Sequence, residues 1–267
     1  MKGIFMARFC PLFSGSSGNS TYISADGRGL LIDAGASCRS LAAAVAAAGG
    51  SLETLSAIAV THEHTDHVKG LRVLLKSCKI PLIASAKTLE SLAANGLIPP
   101  GAELIAADEG GIPADGFEIN YFPTSHDCPG SGGYSVALPD GRRVAVCTDL
   151  GIVTDRVRES LKGCAAALIE SNHDITMLKN GPYPPQLKLR ILSDSGHLSN
   201  AACAAELPEL IRNGTTRLIL GHLSRHNNLP MLALSSAKAS LVDAGIIPGD
   251  DCLLTVAAPS GNQVLAL

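Results

Sequence analysis

Through the first 35 positions, apolar residues fall in short runs closed by glycine, aspartate or serine. The runs RFCPLF, STYIS and GLLID predict a β meander. From Ser40 the pattern changes to SLAAAVAAAG, a helix stopped by Gly49 and Gly50. AIAVT (57–61) predicts a strand and VKGLRVLLKSC (68–78) a helix after it. Strands return around 117–122, 133–138 and 143–148. Beyond them helix and strand alternate: TDRVRESLKG, AAALIES, a proline-interrupted loop at 181–185, NAACAAELPELIRNG, TRLILGH, a helix over 231–244, and strands at 252–257 and 263–267. A strand-rich start followed by βα alternation predicts sheets covered by helices. No repeat, charge block or low-complexity linker interrupts the chain, so one domain over residues 1–267 is expected.

Composition changes this picture only a little. With 46% hydrophobic residues over 267, the chain can bury a large core. Aromatic residues make up 3% and tryptophan is absent, which disfavours a platform for stacking single-stranded bases. A net charge of −3 argues against a broad basic face, although a local cationic channel would be hidden in the sum. Eight cysteines without a C-x-x-C pair, in a chain too large to need disulfide stapling, read as reduced thiols. In the opening MKGIFMARFCPLF, Arg8 interrupts the apolar stretch and no small-residue cleavage site follows. No run approaches the ~18 apolar residues of a membrane span. Together these features predict a cytoplasmic protein.

The candidate chemistry is concentrated in THEHTDH (61–67), three histidines and two acidic residues in a chain otherwise sparing with charge. In extended backbone, residues two apart project to one side, so His62 and His64 can grip one ion. Asp66 and His67 follow as the chain turns into a helix, and adjacent side chains point apart, which suits a second ion. Imidazole with carboxylate suits Zn²⁺, Mn²⁺ or Fe, whereas Mg²⁺ and Ca²⁺ favour oxygen-only shells. The plainer alternative is a histidine-rich loop that traps metal by accident. H-x-H-x-D-H directly after an apolar strand argues against it, because zinc-like ions need three or four protein ligands and this spacing supplies them. One turn cannot fill two coordination shells, so further ligands are expected at later strand ends. The candidates are His126 in FPTSHDCPG, Asp149 in VAVCTDLG, His173 in LIESNHD, His197 in SDSGHLSN, and His222 and His226 in LILGHLSRHNN.

H-x-H-x-D-H at 62–67, followed in order by His126, Asp149 and His222, resembles the metallo-β-lactamase superfamily over nearly the whole chain. More narrowly, SGSSGNS (14–20), LIDAG (31–35), SHD (125–127), ESNHD (170–174), NGPYP (180–184), GHLSN (196–200) and HLSxxNN (222–228) resemble its YycJ/WalJ branch. The resemblance implies an α/β fold (α+β by some schemes), the four-layer αββα metallo-β-lactamase sandwich, with a dinuclear site on one edge. It also implies hydrolytic chemistry and 5′-to-3′ DNA exonuclease activity. The alternatives are a small-molecule phosphodiesterase, a thioesterase or lactonase of the same fold, and a non-catalytic metal-binding module. Carried over residue by residue, His62, His64 and His126 would hold the first ion, Asp66, His67 and His222 the second, and Asp149 would bridge. The two ions, about 3.5–4 Å apart, would share a hydroxide that attacks at neutral pH. Read by itself, Asp149 is a strand-end turn or helix N-cap, and His126 a loop histidine.

Glu170 and His197 resemble the glutamate and histidine that pair in the tRNA 3′-processing nucleases of this superfamily. On that resemblance His197 is a candidate general acid or phosphate-stabilising group oriented by Glu170, and the two join Asp66 in the candidate catalytic set. Capping of the helix near Asn200 is the plainer role for His197. His173 is either a structural hydrogen-bonding residue or a substrate contact. His226 departs from the branch, where an acidic residue lies close to this position, and is expected to be exposed. SGSSGNS offers either backbone N–H groups to a phosphate or a tight connection between strands. Asp33 is expected to support the site without ligating or to serve as a turn residue, and Cys128 and Cys147 to pack. Arg225, Lys69 and Arg72, close to motif residues in sequence, are phosphate contacts or ordinary surface charge. Only 72 residues separate Asp149 from His222, too few for the extra domain of β-CASP relatives beside the core. That favours a compact nuclease or small-diester hydrolase over a messenger RNA exonuclease.

Overall fold

The meander and the βα alternation build two sheets with matching plans. The computed structural model describes residues 7–107 and 110–267, so the reading of the first six residues lies outside the described part. Strands β1 (Arg8–Phe13), β2 (Ser20–Ala25) and β3 (Arg28–Ile32) run antiparallel. Helix α1 (Cys38–Ala47) leads to β4 (Leu55–Ala59), which lies parallel to β3. It starts two residues before Ser40 because the Ser37 side chain accepts from the Ser40 N–H as N-cap.

The helix expected over 68–78 is instead two, α2 (Thr65–Val68) and α3 (Leu71–Ser77). The break falls at Gly70, whose N–H donates to the Ala34 carbonyl and where a Cβ would come within 2.2 Å of the Ala36 carbonyl oxygen. Strand β5 (Leu82–Ala84), helix α4 (Ala86–Ala94) and strand β6 (Leu104–Ala106) complete the first half.

The second half opens on another antiparallel meander, β7 (Ile112–Ala114), β8 (Phe117–Pro123), β9 (Gly132–Ala137) and β10 (Arg143–Cys147). Then come α5 (Asp155–Leu161), β11 (Ala166–Glu170), α6 (Ile175–Asn180), α7 (Pro185–Leu192), α8 (Asn200–Arg212), β12 (Arg217–Gly221), α9 (Pro230–Asp243) and β13 (Leu253–Val256). Strands β10 to β13 are parallel neighbours. The last strand, β14 (Leu265–Ala266), crosses back to pair with β1. The sheet orders are β14-β1-β2-β3-β4-β5-β6 and β13-β12-β11-β10-β9-β8-β7.

The central strands β3, β4, β10, β11 and β12 are covered on both faces and read as nearly continuous apolar runs, whereas β8 alternates, with Glu118 exposed between Phe117 and Ile119. Along β3, Leu30 and Ile32 enter the core between the sheets with Tyr134, Val136 and Val146, while Leu31 packs outward against Leu41, Leu71 and Leu74. Along β10, Val144 and Val146 face inward, and Ala145 and Cys147 face Val157, Leu161 and Leu207. The layers are therefore helix, sheet, sheet, helix, the αββα arrangement expected. Among the described residues no helix is long and apolar enough to cross a membrane.

The sheets are stitched together at one edge. Tyr134 Oη on β9 donates to the Val60 carbonyl (2.8 Å) and the Gly132 N–H to the Thr61 carbonyl (3.1 Å), both just beyond β4. At that edge β3, β4, β8, β10, β11 and β12 all end.

Candidate metal centre

Every residue of the expected ligand set lies at this edge. His62, His64, Asp66 and His67 follow β4, His126 follows β8, Asp149 follows β10, and His222 follows β12. The rings of His62 and His64 stand 4.6 Å apart, as their two-residue spacing predicts, and each lies 5.2 Å from His126. Asp66 and His67 occupy the first turn of α2. There the Asp66 Oδ2 oxygen lies 3.7 Å from His67 Nε2 and 3.6 Å from His222 Nε2. Asp149 reaches both neighbourhoods, with Oδ2 3.2 Å from His67 Nε2 and Oδ1 3.9 Å from His126 Nε2. It is no N-cap, since Thr154 caps α5. Its φ of 60°, like 65° at Asp33 and 55° at His222, puts three residues of one site in the left-handed region, where functional sites hold backbone strain.

The imidazoles are oriented from behind. His67 Nδ1 bonds Asp33 Oδ2 (2.8 Å), and Asp33 also accepts from the Thr61 N–H and hydroxyl. His62 Nδ1 meets Thr61 Oγ1 (3.0 Å), His126 Nδ1 meets the Gly196 carbonyl (3.1 Å), and His222 Nδ1 meets Glu170 Oε1 (2.7 Å). With Nδ1 engaged in each ring, Nε2 is left to face the centre, the arrangement that second-layer partners impose on metal-binding histidines. Nε2 of His62, His126 and His222 is buried with no hydrogen-bond partner in the protein. Three orphaned buried nitrogens beside carboxylates fit a divalent cation, because such atoms are costly to leave unpaired.

The electrostatics agree. Burial alone would lower the His67 pKa, yet Asp33 and Asp149 raise it to about 10, and His222 is likewise raised well above its ordinary value by Asp149, Asp66 and Glu170. Burial would raise Asp149, but His222 and His67 hold it well below the usual carboxylate range. A field that draws protons onto two buried imidazoles would equally draw a cation.

Comparison with known proteins settles the family. The beta-lactamase superfamily domain matches residues 28–223. The chain belongs to the metallo-β-lactamase superfamily. Within it the chain is 38% identical over 246 residues to exodeoxyribonuclease YycJ of Bacillus anthracis, covering 91% of this chain and 92% of that one. It is 34% identical over 247 residues to exodeoxyribonuclease WalJ of Streptococcus pneumoniae serotype 2, covering 91% of each. This places it in the YycJ/WalJ branch. In fold it is similar to the metallo-beta-lactamase fold protein YhfI from Bacillus subtilis, with a TM-score of 0.70 at 16% identity over 98% of this chain and 100% of that one. Membership makes the protein a hydrolytic enzyme, and the fold with its donor cluster implies divalent metal.

His197 Nδ1 bonds Glu170 Oε1 (2.9 Å), so the expected pair forms. Helix capping is not its role, since Ser199 caps α8. Glu170 does more than orient His197, because it also holds His222 and accepts the N–H groups of Leu150 and Leu198. His173 is buried, its carbonyl accepts the Asn200 N–H, and neither ring nitrogen has a hydrogen-bond partner in the protein. His226 is exposed as expected, beside Tyr183. In SGSSGNS the N–H groups of Gly15, Gly18 and Asn19 are already donated within the protein, and Ser14 Oγ accepts the His222 N–H, so the segment braces the site. Asn19 Nδ2 reaches Asp66 Oδ2 and His67 Nε2, a bracing role that sequence spacing gave no means to find. The same holds for Arg190 on α7, which forms a two-pronged ion pair with Asp127 next to His126. Lys69, Arg72 and Arg225 are all exposed. Cys147 packs in the outer core as expected. Cys128 does not, and its sulfur lies with the donor atoms of His62, His64 and His126, all within 4.8 Å of one another.

Proposed function

We propose that this protein is a phosphodiester hydrolase that degrades DNA from a 5′ end, with two divalent cations at the metal centre. His62, His64 and His126 would hold one, Asp66, His67 and His222 the other, and Asp149 would serve both. Zn²⁺ and Mn²⁺ suit this mixture of imidazole and carboxylate. When bound, a cation pair supplies Lewis acidity and a water acidic enough to attack phosphorus at neutral pH. The observation that carries the reading is that three buried, unpartnered Nε2 atoms, those of His62, His126 and His222, share one sheet edge with Asp66, His67 and Asp149 in a chain 38% identical to an exodeoxyribonuclease.

The protein's own groups do the remainder. Glu170 holds the proton of His197 at Nδ1, leaving Nε2 of this partly exposed ring to protonate the leaving oxygen. Burial would lower the His197 pKa, but Glu170 outweighs it, and a raised value keeps the imidazole charged as an acid must be. Asp33 and Glu170 fix the His67 and His222 rings, so the site pays no reorganisation cost when substrate arrives. Exposed Lys69, Arg72 and Arg225 offer cations to a backbone passing the edge. Substrate of this kind, together with eight free thiols, suits the cytoplasm.

The test uses metal-reconstituted protein on end-labelled single- and double-stranded DNA and RNA, with the direction of digestion read from the products. DNA shortened from its 5′ end is expected. Intact polymers beside rapid cleavage of bis(p-nitrophenyl) phosphate would turn the reading to a small diester, and preference for a thioester would end it.

A further inference from the structure

We propose that Cys128 is a fourth protein donor at the cation position of His62, His64 and His126, making that position soft where its neighbour is hard. This rests on the two-cation reading above and goes beyond it, since neither motif spacing nor the expected ligand set includes a thiol.

Three observations carry it. First, the sulfur and the three imidazole nitrogens lie mutually within 4.8 Å, and three nitrogens with one thiolate make a donor set that zinc takes readily. Two of those imidazoles, His62 and His126, present buried Nε2 atoms with no protein partner. Second, Cys128 is the one cysteine of eight outside the packed cores. Cys10, Cys38 and Cys78 belong to the outer core of the first sheet, and Cys147, Cys164, Cys203 and Cys252 to that of the second. Packing therefore accounts for the other seven, and Cys128 alone lies beside the candidate metal donors.

Third, the segment carrying it is clamped on both sides. Before it, His126 is tied to Gly196, and Asp127 is paired with Arg190. After it, the Gly130 carbonyl accepts from Ser85 Oγ (2.8 Å) and Thr88 Oγ1 (2.9 Å). A Cβ on Gly130 would lie 2.3 Å from that Ser85 oxygen, so the approach is close and specific to glycine. A thiol held this way stays beside the imidazoles, and on ligation its proton passes to solvent as the sulfur binds as thiolate.

The consequence is asymmetry. Thiolate with imidazoles favours zinc-like cations, while Asp66 and Asp149 beside His67 and His222 tolerate harder ones such as manganese. The two positions should fill in order with different metals.

Cobalt titration of metal-free protein tests this without reference to activity. The wild type should show visible ligand-field bands together with a near-ultraviolet sulfur-to-cobalt charge-transfer band as the first equivalent binds. Cys128→Ser should keep the visible bands, lose the ultraviolet one, and bind zinc about tenfold or more weakly in chelator competition. Cys128→Ala should behave the same and replaces the serine variant if that one does not fold. Cobalt bound by the wild type without the ultraviolet band, or a band that survives both substitutions, overturns the thiol donor and leaves the two-cation reading standing. A wild type that binds no cobalt overturns both.

Discussion

Glu170→Gln tests the reasoning most directly, because it keeps the shape of a fully buried side chain and changes only its acceptors. Both carboxylate oxygens face donors, Oε2 the N–H groups of Leu150 and Leu198, Oε1 the Nδ1 atoms of His197 and His222. An amide has one oxygen, so its NH₂ must confront one of these pairs. Turned toward the backbone, it leaves two N–H groups without acceptors. Turned toward the rings, it moves the ring protons to Nε2, and His222 then points an N–H into the centre. Two hydrogen bonds to a charged group are lost either way, at about 1.5–3 kcal/mol each.

The carboxyl's acidity gives a matching figure. Burial would raise it, but His197 and His222 bring it from 4.5 down to about 2, worth on the order of 3 kcal/mol. We expect metal-free Glu170→Gln to be about 3 kcal/mol less stable than wild type at pH 7 in urea unfolding. We expect metal binding by calorimetry to be about 10–100-fold weaker. Since the folded value lies below the unfolded one, the carboxylate's stabilisation is complete above about pH 4.5 and disappears as pH falls toward about 2, so the gap between the two proteins should close across that window. Equal stability at pH 7 with unchanged metal affinity would refute the orienting role.

His197→Ala should retain its metal, measured by elemental analysis, and lose about 10²-fold or more in turnover, the usual scale of a general acid; full turnover would remove it from the reaction. Asp33→Asn tolerates the φ of 65° but cannot accept from both Thr61 and His67, so metal affinity should fall about 10–100-fold with little change in circular dichroism. Gly35→Ala places a Cβ 1.8 Å from the Asp66 carbonyl and 2.4 Å from the Asn19 nitrogen, both backbone atoms. The melting midpoint should show a loss of about 3 kcal/mol or more, and a neutral result would mean that the backbone there can give way. The Arg158–Glu206 pair is solvent-exposed despite its 2.8 Å contacts, and Glu206→Gln should change stability by less than about 1 kcal/mol in the same melts.

The sequence by itself determined the strand ends and what stands on them. The meander, the parallel strands and H-x-H-x-D-H were legible because apolar periodicity and two-residue spacing are local properties of a chain. The later histidines and Asp149 could be picked out because each follows an apolar run. No element is predicted over residues 79–111, where β5 and β6 are only three residues each and pair across the intervening helix, which periodicity does not record. Helix α7 was hidden behind NGPYPP, and with it Arg190.

Only the tertiary structure decided how far the support of the donors extends. Glu170 gripping two imidazoles, Asn19 reaching Asp66 and His67, and the Cys128 sulfur beside three histidines depend on which strand ends the two sheets bring together. Atoms 47 to 70 residues apart in the chain meet there at hydrogen-bond distance. A sequence names the donors, but their orientation is a property of packing, because each ring is turned by a partner that only the closed sandwich supplies.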